Sequence, residues 1–268
     1  EYILNCRQMG IRLLPPDINK GESAFSVEEN ESTEKTGEET FKYNKSIRYG
    51  LSAIKSIGKP VIDAIVRERN QNGIYRNFRN FVERLSGKEL NKRTIENFIK
   101  AGALDGLCDN RKQLMMIYVQ VVDSVNQEKK NAMAGQMSLF DFVAEEDKKD
   151  FEIRMPDVEE YDKEQLLAFE KEVLGVYISG HPLEKYEKMW QKNISATTMD
   201  FAYQEELHGS RLFDGAEEII GGMVEGITIK HTKNNKTMVF LTIEDLLGTV
   251  EVVVFPRQYE IYRNSITQ

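Results

Sequence analysis

The chain has 268 residues, of which 40% are hydrophobic and 30% charged, and its formal net charge is −8. This composition is ordinary for a soluble globular protein, and the length allows two or three compact units. No apolar run approaches the ~20 residues that a membrane helix needs, and a secretory signal pattern is absent, so we expect no membrane partner. Because the sequence begins at Glu1, we expect a piece of a longer protein.

Residue types that commonly carry catalysis or bind metals are sparse. Cys6 and Cys108 are far apart in sequence, which fits a reducing cytoplasm, and neither has metal-ligand spacing. The three histidines are isolated from one another and from any carboxylate motif. We therefore expect no catalytic residue and no metal site in this chain.

Charge is unevenly distributed along the chain. Residues 45–112 contain fifteen basic and seven acidic side chains, a local balance of +8. Residues 21–44 carry seven Glu and two Lys, and residues 126–165 carry twelve acidic and six basic side chains, which gives −5 and −6. A basic module between acidic strips indicates a polyanion-binding surface in a chain whose remaining surface repels nucleic acid.

The first half of the chain predicts short helices. Residues 20–40 are rich in Glu, Ser, Thr and Gly, and we expect an exposed loop or weak hairpin there. Pro60 opens a helix at its first turn, and residues 78–85 place apolar side chains on one helical face. Asn91 and Asp109 are predicted to cap two further helices.

Two segments within the basic module are similar to helix-hairpin-helix motifs. In the first, apolar residues flank the turn Ser56-Ile57-Gly58, with Lys55 and Lys59 beside it. In such a hairpin glycine allows positive φ, and backbone N–H groups at the start of the next helix face a DNA phosphate. Ser56 stands where the family usually has the first glycine, so we expect a less tight turn.

The second copy is Ile99 to Leu104, followed by Asn110-Arg111-Lys112. An ordinary corner between two helices explains either copy alone, but two copies in one basic segment favour sequence-independent binding of duplex DNA. The predicted contacts are Lys55, Ser56, Ile57, Gly58, Lys59, Lys100, Ala101, Gly102, Arg111 and Lys112.

A docking peptide is predicted inside the second acidic strip, whose composition buries too little apolar surface to fold alone. Residues 136–142 display four apolar side chains among polar neighbours. A short amphipathic helix folding back on its own domain is the alternative. The order Gln-x-x-Leu-Phe-x-Phe resembles the sliding-clamp-binding peptide of bacterial replication proteins. The predicted clamp contacts are Gln136, Met137, Ser138, Leu139, Phe140, Asp141 and Phe142.

The last third of the chain changes its periodicity. From Ile219 onward, three β-rich runs joined by short polar turns predict a β-meander, which resembles the first three strands of an OB-fold. In that fold, single-stranded nucleic acid binds the face of strands 2 and 3, where aromatic rings stack on bases. Phe240 is the predicted stacking residue, with Lys230, Lys233 and Lys236 supplying charge. Packing of Phe240 inside the barrel is the alternative.

The N-terminal run Cys-Arg-Gln-Met-Gly-Ile-Arg-Leu-Leu-Pro-Pro-Asp-Ile-Asn resembles the end of the fingers domain in the alpha subunit of bacterial replicative DNA polymerase III. That family continues in the same order with regions similar to Tyr49–Lys55, Ile99–Ala103, Gln136–Phe142 and Leu174–Leu183 here. The resemblance is collinear over essentially the whole chain. It implies a bacterial, cytoplasmic replication protein that works with duplex DNA, the sliding clamp and other replisome subunits.

The resemblance also implies which parts of the polymerase are elsewhere. Phosphoryl transfer needs carboxylates that hold two metal ions, Mg²⁺ in the parent enzyme, and the palm aspartates of the family have no counterpart here. We therefore expect a catalytically inert fragment of a DNA-directed DNA polymerase, a nucleotidyltransferase. A DNA-repair or recombination accessory protein, or a nuclease or ligase module, would be the alternatives.

The expected fold class is α+β multidomain, with a mainly helical helix-hairpin-helix region followed by a β-meander that resembles a partial OB-fold. The expected division is the end of the fingers with an acidic loop (1–46), tandem helix-hairpin-helix domain (47–125), acidic linker with the clamp peptide (126–165), helical connector (166–215) and partial OB-fold (216–268).

Overall fold

The computed structural model describes residue 3, residues 5–6 and residues 9–29, 45–85, 90–133, 155–202 and 209–266. The chain divides into two compact units. The first is Cys6–Gly180, and the second is His181–Gln268 together with Glu1–Asn5. Within the described ranges, none of the helices has both the length and the apolar character needed to cross a membrane. The five-part division expected above remains a prediction.

Among the residues that the structure describes, five α-helices build most of the first unit. They are α1 (Lys59–Asn72), α2 (Phe78–Leu85), α3 (Lys92–Lys100), α4 (Arg111–Met133) and α5 (Lys163–Leu174). Short 3₁₀ turns at Leu51–Ala53 and Asp105–Leu107 precede α1 and α4. The predicted α+β class, helical first and then β-rich, is confirmed.

Aromatic packing explains how α1, α2 and α3 hold together. Tyr75, Phe81 and Phe98 are each at most 1% exposed, and their rings meet edge to face. Tyr75 also donates a hydrogen bond of 2.8 Å from its hydroxyl to the carbonyl oxygen of Ile65. Side chains that bury both ring and hydroxyl in this way fix the relative positions of the helices.

Two predicted helix caps have different outcomes. Asn91 caps α3, and its side chain accepts the N–H of Thr94 at 2.9 Å, as expected. Asp109 does not cap α4, so that prediction is wrong. The cap is Asn110, whose Oδ1 accepts the N–H of Gln113 at 2.9 Å, because the helix begins one residue later than expected.

A small sheet lies at the start of the first unit, with strand order β1-β3-β2. β1 (Arg12–Leu14) runs parallel to β3 (Lys45–Arg48), and β2 (Ser26–Glu29) pairs antiparallel with β3. The segment expected to be a loop or weak hairpin thus contributes an edge strand. Arg48 is buried, pairs with Glu28 and donates to the carbonyl oxygen of Pro15 at 2.8 Å.

The second unit contains the predicted β-meander. Its strands are β4 (Met223–His231), β5 (Thr237–Glu244) and β6 (Thr249–Val254), and neighbouring strands run antiparallel. Helix α6 (Glu187–Asn193) precedes the sheet and α7 (Pro256–Tyr262) follows it. The buried carboxylate of Asp245 accepts hydrogen bonds from both the N–H and the hydroxyl of Thr198, which fastens the 3₁₀ turn Thr198–Phe201 to the sheet.

Candidate nucleic-acid interface

The first hairpin presents its loop to solvent. Lys55, Ser56, Gly58 and Lys59 are exposed, and Ile57 is half-buried. Ser56 takes the left-handed conformation with φ of 63°, whereas Gly58 has φ of −73° and ψ of 144°. The positive φ of this loop thus lies at Ser56, which stands where the family usually has the first glycine, and not at Gly58. The serine makes the turn itself, at a conformational cost that a glycine would avoid.

The helix that follows this loop has an open N-terminus. Gly58 is the N-cap of α1, and no side chain caps the helix there. Pro60 in the first turn contributes no N–H group. The first N–H groups of an α-helix lack intrahelical acceptors, so an uncapped start next to the exposed Lys59 and near Lys55 in sequence suits an anion.

The second hairpin is inside the first unit. Ala101 is 0% exposed and Gly102 is also buried. Gly102 has φ of 74°, and a Cβ on it would lie 2.2 Å from an Nη of Arg111. The carbonyl oxygen of Ala103 accepts the N–H of Ile18 at 3.1 Å, so the N-terminal segment covers this turn. A DNA contact at Ala101 or Gly102 stays a prediction, and it would require this covered turn to open.

The side chain of Arg111, another predicted DNA contact, is buried and hydrogen-bonded within the protein. It is 8% exposed and donates to both carboxylate oxygens of Asp105 from Nε, and to Oδ2 from Nη2 at 2.9 Å. Its Nη1 donates to the carbonyl oxygen of Lys100 at 3.2 Å. Burial raises the pKa of Asp105 above its usual value, although the adjacent guanidinium opposes that rise. The predicted DNA contact at Arg111 therefore stays a prediction that would require these hydrogen bonds to break.

The two lysines near the second hairpin are engaged by acidic and aromatic groups. The Nζ of Lys100 lies 3.0 Å from Glu96 and 2.7 Å from Glu172, and its side chain is only 14% exposed. The Nζ of Lys112 lies 5.6 Å from the centre of the Tyr161 ring, within cation–π range. Both lysines are therefore less available to a phosphate than those of the first loop.

Unlike α1, helix α4 has a closed N-terminus. Glu160 accepts the N–H of Arg111 at 2.8 Å and the N–H of Lys112 at 3.2 Å. Asn110 takes the next N–H and also donates from Nδ2 to the carbonyl oxygen of Val158 at 2.9 Å. An intramolecular carboxylate thus sits where a phosphate would bind. Sequence reasoning missed Glu160, because nothing distinguishes it from its acidic neighbours.

In the second unit, the structure brings together two of the four predicted single-strand contacts. Phe240 is half-buried on β5, and the Nζ of Lys230 lies 4.4 Å from the centre of its ring. Lys233 and Lys236 are exposed in the turn between β4 and β5. A base that stacks on Phe240 would have to displace Lys230 from the ring or share the ring with it.

The predicted clamp contacts Gln136, Met137, Ser138, Leu139, Phe140, Asp141 and Phe142 lie outside the described residues. The described flanks lie at opposite ends of one helix. Helix α4 ends at Met133, and after Met155 the chain is bonded to the start of the same helix through Val158 and Glu160. The 23 residues of α4 make it about 35 Å long.

Comparison with known proteins supports the predicted helix-hairpin-helix motifs, because residues 10–114 match the helix-hairpin-helix motif family. The DNA polymerase III subunit alpha of Borreliella burgdorferi is 34% identical over 100% of this chain and 21% of that protein. The subunit of Mycobacterium tuberculosis is 33% identical over 99% of the chain, and that of Aquifex aeolicus 32% over 100%. The chain spans 21% of the first two of these proteins and 19% of the third. The chain, which corresponds to about a fifth of such a subunit, belongs to the family of bacterial DNA polymerase III alpha subunits.

Proposed function

We propose that this segment grips duplex DNA for a bacterial replicative polymerase and tethers that polymerase to its sliding clamp. The observation that carries the DNA-binding part is the open N-terminus of α1 beside the exposed Lys55 and Lys59. Its N–H groups and two ammonium groups can reach one stretch of phosphate backbone without reading bases. Binding is therefore independent of sequence and sensitive to salt.

Titration of the 268-residue chain with two duplexes of unrelated sequence tests this proposal. Both duplexes should bind with equal affinity, and the logarithm of the binding constant should fall linearly with the logarithm of salt concentration. A clear preference for one duplex, or affinity that does not change with salt, would contradict backbone binding.

The parent protein is proposed to be a DNA-directed DNA polymerase of the bacterial cytoplasm that uses Mg²⁺, as the names of the relatives support. Nucleotide transfer needs carboxylates that hold metal ions. Within the described ranges, no three His, Cys, Asp or Glu side chains converge to hold one. We propose that this segment alone is inactive. A primer-extension assay with Mg²⁺ should show no product, as should a plasmid nicking and joining assay.

The clamp tether is proposed to be the Gln136–Phe142 peptide. Both flanks of its strip are fixed to the first unit. On one side Glu128 binds Arg79 at 2.6 Å and Lys129 donates to the carbonyl oxygen of Glu83 at 2.6 Å, and on the other side Glu160 caps α4. Because two residues separate Met133 from the peptide, a bound clamp lies near the C-terminal end of α4. Tethering raises the effective concentration of polymerase at the primer end.

Titration with purified clamp tests the tether. Leu139→Ala combined with Phe140→Ala removes two apolar anchors and should abolish clamp binding. The same variant should bind duplex DNA like the wild type, since neither residue belongs to the first hairpin. Loss of both activities together would contradict the separation of the two roles.

A single-strand-binding role of the β-meander is a second candidate, favoured by the pairing of Lys230 with Phe240. An aromatic ring next to a cation can hold a base and its phosphate. Phe240→Ala should then weaken binding of a thymidine oligonucleotide by roughly 1–3 kcal/mol. Unchanged oligonucleotide binding would leave Phe240 as a packing residue of the sheet.

A further inference from the structure

Lys55 comes directly before the left-handed Ser56, and its backbone is held on both sides by other helices. Its N–H donates to the carbonyl oxygen of Val173, at the end of α5, at 2.7 Å. Its carbonyl oxygen accepts the Nδ2 of Asn97, in α3, at 3.0 Å. Asn97 is 9% exposed, so the bond is largely shielded from water. Together the two bonds fix the residue that leads into the strained turn.

The side chain of Lys55 depends on α5 as well. Gly175 ends that helix with φ of 78°, and a Cβ there would lie 3.2 Å from both Cε and Nζ of Lys55. The ammonium group therefore lies across the C-terminal end of α5, where the last carbonyl groups carry partial negative charge. Backbone and side chain of Lys55 are thus both positioned by elements outside the first hairpin.

We infer that Asn97 is a positioning residue for duplex binding: it holds the 55–59 loop in the shape that faces a phosphate and does not touch DNA itself. This inference rests on the proposed binding of DNA by the first hairpin. By this inference the buried second hairpin region contributes to DNA binding indirectly, through Asn97. Helix α3, which leads into the buried turn, supports the exposed loop from behind.

Asn97→Ala in the 268-residue chain tests the inference, because it removes the hydrogen-bond donor without changing any charge. Duplex affinity at constant salt should fall about 3- to 10-fold, the effect of one lost hydrogen bond. The slope of log affinity against log salt should stay unchanged, since no phosphate-binding cation is lost. Asn72→Ala is the matched control, because it also removes one side-chain hydrogen bond, to Glu68, and should bind normally.

Hydrogen exchange separates positioning from general destabilisation. In Asn97→Ala the Lys55 amide should exchange faster, while amides in the middle of α2 and α4 keep their protection. If this variant unfolds, Asn97→Leu, which fills a similar volume without the amide, replaces it. Wild-type affinity in a folded Asn97 variant, or a changed salt slope, would overturn the inference.

A second variant links Asn97 to the turn that it supports. Glycine adopts the left-handed conformation without support from Asn97. In a Ser56→Gly background, Asn97→Ala should therefore lower duplex affinity by less than about 2-fold. An undiminished loss in that background would overturn the inference. The proposed function fails separately: if replacing Lys55 and Lys59 leaves duplex affinity unchanged, the first hairpin is not the DNA site at all.

Discussion

Replacing the two loop lysines is the most direct perturbation of the proposed DNA site. In Lys55→Gln combined with Lys59→Gln, both cations next to the open N-terminus of α1 are lost, while the helix and its N–H groups remain. Each phosphate contact contributes about 0.9 to the salt slope, so the slope should fall by about 1.8. At about 0.15 M salt, the same relation corresponds to roughly 30-fold weaker duplex binding.

Lys100→Gln combined with Lys112→Gln is the matched control, because it removes the same total charge from the second hairpin region. Lys100 is already paired with Glu96 and Glu172, and Lys112 lies over Tyr161. We expect the salt slope of this control to fall by less than about 0.6, a third of the fall expected for the loop variant. The assay is fluorescence anisotropy with a labelled duplex at four salt concentrations, after thermal unfolding has shown that both variants are folded.

An equal or larger loss in the control pair would refute this reasoning. The affinity would then depend on the total positive charge of the unit or on the second hairpin, and the contrast between the two helix N-termini would have no functional meaning. Loss confined to the loop pair would support local phosphate binding at α1.

Three further outcomes concern stability. Ser56→Gly should raise the free energy of unfolding by about 0.5–1 kcal/mol in urea denaturation, because Ser56 has positive φ; a decrease would contradict the strain argument. Arg111→Met should lower it by roughly 1–3 kcal/mol, since the hydrogen bonds of the buried guanidinium to Asp105 and to the carbonyl oxygen of Lys100 are lost, and folded protein should still bind duplex. Burial raises the pKa of Tyr75 to about 12, so the unfolded chain loses its proton first, and stability should fall as pH rises from 10 to 12. Tyr75→Phe should flatten that fall in denaturation curves measured across this range.

Local patterns were sufficient to predict much of the fold. The three-stranded meander, the cap at Asn91 and the helix opened by Pro60 follow from periodicity and from the chemistry of single residues. These features depend on neighbours within a few positions in sequence. For the same reason, the exposure of the first hairpin loop agreed with its run of lysine, serine and glycine.

Long-range pairing is what the sequence could not reveal. A count of +8 for residues 45–112 treats every cation as free, but Arg48 and Arg69 pair with Glu28 and Glu22 from the preceding acidic strip. Glu160 likewise comes from the following strip to close α4. Acidic segments that looked like solvated spacers thus neutralise part of the basic module, and motif matching cannot distinguish an open hairpin from a sealed one.

The geometry of α4 limits how far the strip between its two ends can be shortened. That strip leaves the helix at Met133 and is bonded again beside Asn110 by Val158, about 35 Å away along the axis. An extended chain covers about 3.4 Å per residue, so about ten residues are enough to span this distance, fewer than the 24 that separate Met133 from Val158. Deletions of up to a dozen residues outside Gln136–Phe142 should therefore leave enough chain to join the two ends of α4.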